Sequence, residues 1–111
     1  MASQKSEQVI EEMIELSVDV ITACKPLNLP HSVVDQLTRA VTSIGANFSE
    51  AQDASSRKDF MNKIYIAKKE ASETKYWLKV VSRLAGDKQI LEKQAQNTQR
   101  FIMIYDASEN N

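Results

Sequence analysis

The stretch SIGANFSEAQDASSR, Ser43 to Arg57, decides how this chain folds. Its apolar residues continue the series Val34, Leu37, Val41, Ile44, Phe48 and Ala51, spaced three and four apart, which is the seam of a helix packed in a bundle. The polar run QDASS then breaks the period. Ser56 follows, with Asp59 three positions on, so a serine cap with an acid in the first turn opens the next helix. The stretch therefore reads as a helix end, a turn and a helix start. Its polar residues Asn47, Ser49, Glu50 and Asp53 pose the functional question, whether they form a site or serve packing and pairing.

Upstream, Val9, Ile10, Met13, Ile14, Ser17, Val20, Ile21 and Cys24 recur at three and four, an amphipathic helix from Ser3 to Lys25. It stops at KPLNLP, because proline disfavours helical geometry in the residue before it and has no N–H to donate. Downstream, Phe60, Ile64, Ala67, Ala71, Thr74, Leu78, Val81 and Ala85 mark a third helix, roughly 43 Å long at about 1.5 Å per residue. Gly86 closes it and Asp87 starts a new one, since glycine tolerates the left-handed conformation that ends helices. Ile90, Leu91, Gln94, Thr98, Phe101, Ile102 and Tyr105 make the fourth stripe, ahead of a fraying SENN. Helices are thus expected over about 3–25, 31–53, 57–85 and 88–107. With short connections they form an all-α, up-down-up-down (antiparallel) four-helix bundle, a single domain over 1–111.

Composition agrees with that class. A chain of 111 residues buries one modest core. Two glycines and two prolines are few for a turn-rich fold and favour long helices. No apolar run is long enough to span a bilayer, and MASQKSEQ lacks the basic and apolar regions of a signal peptide, so no membrane partner and a cytoplasmic location are expected. Cys24 is the single cysteine and lies on an apolar stripe, where it reads as a reduced structural thiol.

The net charge of −1 conceals a division along the chain. Residues 1–56 carry three bases against eight acids, whereas residues 57–88 carry nine bases against four acids. Acidic and basic helices can satisfy each other within the bundle or between subunits. The sharper alternative is that Lys63, Lys68, Lys69, Lys75 and Lys79 on the third helix contact the phosphates of RNA or DNA.

Folding the second and third helices about their turn places Ile44 near Ala67, Asn47 near Ile64, and Arg39 near Glu70 and Glu73. Glu70 and Glu73, three apart, share a helix face. Arg39, Asn47, Glu50, Glu70 and Glu73 thus form a structural polar motif. In it Arg39 pairs with the two glutamates, Glu50 and Asp53 meet Arg57 or Lys58, and Asn47 sets helix register through its need for a hydrogen-bond partner. A di-iron bundle would require Glu-x-x-His motifs on two helices, but the only histidine, His31, stands beside a proline in the first connection. The serines have no usable histidine, and there is neither a glycine-rich phosphate loop nor a Cys-His pair. No catalytic residue, cofactor, metal or small-molecule substrate is therefore expected, and the function expected is that of a non-enzymatic scaffold or accessory protein.

Apolar surface points to self-association. Besides its seam, the third helix carries Met61, Tyr65, Ile66, Trp77, Val80 and Leu84, and FIMIY, Phe101 to Tyr105, surrounds more than a turn of the fourth. A helix facing one core needs only a stripe. Tyr65, Ile66, Trp77, Val80, Met103 and Ile104 are the candidate interface of a homo-oligomer.

With SIGANFSEA, SSRKDF and IAKKEASETKYWL in place, the sequence resembles the bacterial four-helix-bundle family of the 23S rRNA-intervening sequence protein type. The likeness runs from Ile10 to about Tyr105. It is carried by Ser43-Ile44, Asn47 and Glu50, then Ser56 with Asp59-Phe60, then Ile66-Ala67, Glu70, Glu73 and Trp77. Ala51 stands where many members have glycine and Phe48 where they have isoleucine, which suggests a second helix that continues slightly further. The resemblance implies a compact all-α protein that assembles into rings, commonly pentamers, with no established catalytic residue and an unsettled role. It does not imply ribosome binding, because lying within a ribosomal RNA gene is a matter of genomic location.

Overall fold

Four helices follow one another: α1 Gln4–Cys24, α2 His31–Gln52, α3 Arg57–Ala85 and α4 Gln89–Glu109. The computed structural model describes the backbone of residues 3–86 and 89–109 and the side-chain surroundings of 3–86 and 92–103. Asp87, Ile90, Leu91, Ile104 and Tyr105, all named in the sequence reading, have side chains outside the described ones. α1 and α2 end one residue short of the expected bounds, α3 coincides with them, and α4 runs on to Glu109 through residues expected to fray.

Local chemistry sets the ends. The Ser3 hydroxyl accepts from the Ser6 N–H at 3.1 Å and caps α1. Ser56 caps α3 by accepting from the Asp59 N–H at 3.0 Å, and the Asp59 carboxylate accepts in return from the Ser55 N–H at 3.4 Å. Gly86 closes α3 at φ 74°, its N–H donating to the Ser82 carbonyl at 3.0 Å. A side chain there would be strained by the left-handed backbone.

Each helix touches its chain neighbours, and α4 returns to α1, so the four stand at the corners of a square with α1 and α3 on one diagonal. The molecule measures 44 × 23 × 20 Å, its long axis set by α3. The core is built from Leu37, Val41, Ile44, Phe48, Ile64, Leu78, Val81 and Phe101, closed from α1 by Val9, Met13, Leu16, Val20 and Cys24.

In α1 the buried line is therefore Val9, Met13, Leu16, Val20 and Cys24, and the expected stripe needs correction. Ile14 is 50% exposed, and Leu16 takes the core position that the broader reading passed over. Both lines have helical spacing. The choice falls to Val9 and Leu16 because Met13 packs against Gly45 of α2, whose own Cβ would stand only 3.2 Å from Met13 Cβ. The Ser17 hydroxyl adds a bond across the same pair of helices, donating to the Val41 carbonyl at 3.2 Å.

Buried hydroxyls and amides are satisfied locally. Thr74 donates to the Glu70 carbonyl and Thr98 to the Gln94 carbonyl, both at 2.8 Å, and Gln52 donates to the Phe48 carbonyl at 3.1 Å. Each bond spans four residues of one helix, so the polar atoms enter the core without demanding a partner from elsewhere.

Candidate functional site

Arg39, Ser43, Asn47 and Glu50 are three or four apart and line the side of α2 that meets α3. At one end the Arg39 guanidinium lies 3.1 Å from the Glu73 carboxylate and 2.9 Å from the Gln36 side-chain oxygen. The Trp77 indole N–H also donates to the same Glu73 oxygen, at 3.4 Å. At the other end Glu50 lies 3.8 Å from the Lys63 ammonium. The residue numbers of these two antiparallel pairs total 112 and 113, which sets the α2–α3 register independently at two heights.

The expected polar motif is thus partly assembled and partly redistributed. Arg39 does meet Glu73. Glu50 reaches Lys63, further into α3 than the expected Arg57 or Lys58, because Arg57 and Lys58 stand on the exposed first turn while Lys63 faces the seam. Asn47 does not set register: its amide donates to the Ser43 carbonyl of its own helix at 2.9 Å. Glu70 is buried, 8% exposed, and its Oε2 has no hydrogen-bond partner among the described residues.

The basic residues of α3 separate into two groups. Lys63 is taken up by Glu50, Lys75 donates to the Gln99 side-chain oxygen, and Lys68 is also engaged. Lys69 and Lys79 stand exposed on the side of α3 opposite the core, in line with Tyr65, Tyr76 and Arg83. Tyr65 and Tyr76 are 61% and 60% exposed. Among the other interface candidates, Met103 is exposed, Ile66 and Val80 are half-buried, and Trp77 packs on the core with Tyr76 edge-on at 5.2 Å. Ile14, expected on the buried stripe of α1, and Val18 are exposed and lie outside the expected interface residues. The signal was present, since a helix with two apolar lines cannot bury both against one core.

Between α1 and α4 lies a groove of about 230 Å³. Glu12, Glu15 and Asp19 line it on one side, Lys93, Asn97 and Arg100 on the other, with Leu16 and Phe101 at its floor. Glu12 and Arg100 form an ion pair across it. Among the described residues no group of three or more His, Cys, Asp or Glu side chains is placed to hold a metal ion, and no helix is long and apolar enough to cross a membrane. Burial pushes the Cys24 thiol up from its ordinary range, which keeps it protonated and poorly nucleophilic at neutral pH.

Two comparisons bear on what this arrangement belongs to. A crystal structure from Bacteroides thetaiotaomicron, described as a protein of unknown function from the S23 ribosomal protein family, superposes with a TM-score of 0.84 at 30% identity. It covers 93% of this chain and 99% of its own. No curated protein matches the sequence. The family model of the 23S rRNA-intervening sequence protein matches residues 5–103, nearly the whole bundle including the α2–α3 seam with its Arg39–Glu73 and Glu50–Lys63 pairs. This chain therefore belongs to the 23S rRNA-intervening sequence protein family.

Proposed function

We propose that this protein is a non-enzymatic accessory or scaffold protein that works as a homo-oligomer. The observation that carries this reading is the apolar surface left over once the core is full. Ile14, Val18, Tyr65, Tyr76, Leu84 and Met103 are each at least half exposed, on three of the four helices. Apolar side chains exposed along several helices offer faces for association, and covering them contributes roughly 25 cal/mol per Å². The polar residues support the same reading by what they already do. Arg39, Glu50 and Glu73 are spent on pairing between α2 and α3, and they assemble no nucleophile, base and oxyanion set. Five copies is the number that the family resemblance implies, and a closed ring is the form symmetry favours.

Sedimentation equilibrium at micromolar concentration tests this reading. A mass several times 12.5 kDa is expected, and a 12.5 kDa species overturns it. Turnover in a substrate screen that Glu70→Ala or Glu73→Ala abolishes would overturn the non-enzymatic part.

A second reading, contact with nucleic-acid phosphates, draws on the exposed Lys69 and Lys79 beside two tyrosines able to stack on bases. Lys63, Lys68 and Lys75 are occupied within the chain, which leaves a short footprint. Phosphate contact should give a mobility shift at low salt that falls steeply as salt rises. No shift at low salt removes this reading.

A further inference from the structure

We propose that copies of this chain join head to tail, the acidic, apolar outer side of α1 in one copy seating on the basic, tyrosine-bearing outer side of α3 in the next. The proposal rests on the homo-oligomer reading above and names the two surfaces it uses.

The α1 surface is a second apolar line. Ile14 and Val18 are 50% and 55% exposed, and half-buried Ile10 and Ile21 extend the line at either end. At about 100° per residue these four fall within roughly 80° of arc, well apart from the buried line through Val9, Met13 and Leu16. Glu7, Glu11 and Glu15, all exposed, run along one border. The surface is therefore a greasy strip with an acidic edge.

The α3 surface has the opposite character. Tyr65, Lys69, Tyr76, Lys79 and Arg83 are all exposed, and helical spacing places them within roughly 80° of arc. The acids of α3 lie elsewhere: Asp59 caps the helix, Glu73 pairs with Arg39, and Glu70 is buried. The outer side of α3 is thus positive along its length with no carboxylate among the residues that face outward. The apolar part of each surface has the same length: Ile10 to Ile21 and Tyr65 to Tyr76 are both eleven steps along a helix, about 16 Å. Lys79 and Arg83 carry the positive charge beyond Tyr76.

Charge and apolar content are complementary between the two surfaces, and neither complements itself. Two α1 strips would oppose acid to acid, and two α3 strips would oppose base to base, arrangements that cost free energy. The two strips of one molecule cannot meet, because α1 and α3 stand on a diagonal of the bundle without touching. The contact is consequently between copies and joins unlike surfaces, the kind that propagates until rotation closes it into a ring. The α1 strip lies on the side of α1 toward α2, the side from which Ser17 reaches Val41. The two strips are therefore not back to back, and each added copy turns the row.

The test is a charge exchange read by sedimentation equilibrium at low salt. Variant one carries Glu7→Lys, Glu11→Lys and Glu15→Lys; variant two carries Lys69→Glu, Lys79→Glu and Arg83→Glu; variant three carries all six. All altered side chains are exposed, and far-ultraviolet circular dichroism checks that each variant remains helical. The expected result is assembly by the wild type, a shift to the 12.5 kDa monomer in variants one and two, and recovery of the assembled mass in variant three. Ile14→Asp with Val18→Asp should also yield the monomer. A wild type that assembles while variants one and two keep its mass overturns this pairing of surfaces and leaves the homo-oligomer reading standing. A monomeric wild type overturns both. An oligomer unchanged in variant two but stripped of DNA or RNA binding assigns the α3 surface to nucleic acid and overturns the proposal.

Discussion

Along the α2–α3 seam, two ion pairs hold the register at separate heights, and the two helices contribute four fully buried alanines, Ala40, Ala51, Ala67 and Ala71, so the backbones approach closely. Along the α1–α4 seam, Leu16 and Phe101 touch the core, but above them lies an open groove edged with charges and bridged by Glu12 and Arg100. The same bundle is therefore shut tightly on one side and loosely on the other. The difference teaches where stability resides. Burial without voids is what large core terms require, and an ion pair in solvent adds little.

Core truncations test that contrast with the largest effects. Ile64→Ala, at a fully buried position, is expected to cost about 4 kcal/mol in urea unfolding, whereas Leu16→Ala beside the groove should cost about 2, because water or neighbouring chains can relax into a site already open. Equal losses would break the comparison. Glu70 offers an effect of opposite sign. Replacing it with methionine keeps the volume and removes a carboxylate oxygen that has no partner among the described residues, so unfolding free energy should rise by about 1 to 2 kcal/mol. A fall would mean that this carboxylate finds a partner in solution and that the α2–α3 seam has a polar component beyond its two pairs.

Gly45 sharpens the picture from the side of α1. Alanine in place of a helical glycine ordinarily stabilises by about 0.5 to 1 kcal/mol, but here the new Cβ would press on Met13, whose Cβ is fixed to the α1 backbone. No net gain is expected for Gly45→Ala. A full gain would show α1 free to draw away from α2, leaving both of its seams loose. The smallest effects belong to the exposed pairs. A double-mutant cycle on Arg39 and Glu73, with side chains 57% and 32% exposed, should give a coupling of about 0.2 to 1 kcal/mol that declines with salt. The cycle on Glu12 and Arg100 should fall in the same range, since solvent reaches both pairs.

Periodicity made the helices legible. α3 could be placed from Ser56 and Asp59 at its start and Gly86 at its end, because caps are local chemistry written in neighbouring residues. Arg39 and Glu73 could be brought together from the position of one turn, since antiparallel helices on a short loop have few registers available. The candidate site was harder. Asn47 bonds within its own helix because a carbonyl four residues back is always present, so residue type alone does not reveal whether an amide serves its helix or a neighbour.

By itself, then, the sequence determined four amphipathic helices, their ends and their antiparallel order, all consequences of spacing and of capping residues within a few positions of one another. Only the tertiary structure decided which of two apolar lines on α1 enters the core, that Glu50 reaches Lys63, and that Glu70 is buried with one oxygen lacking a partner among the described residues. Those outcomes depend on helix rotation and on close approaches such as Gly45 to Met13, which sum contributions from residues far apart in the chain. A repeat of three and four specifies that a helix has a buried face; packing against its neighbours specifies which one.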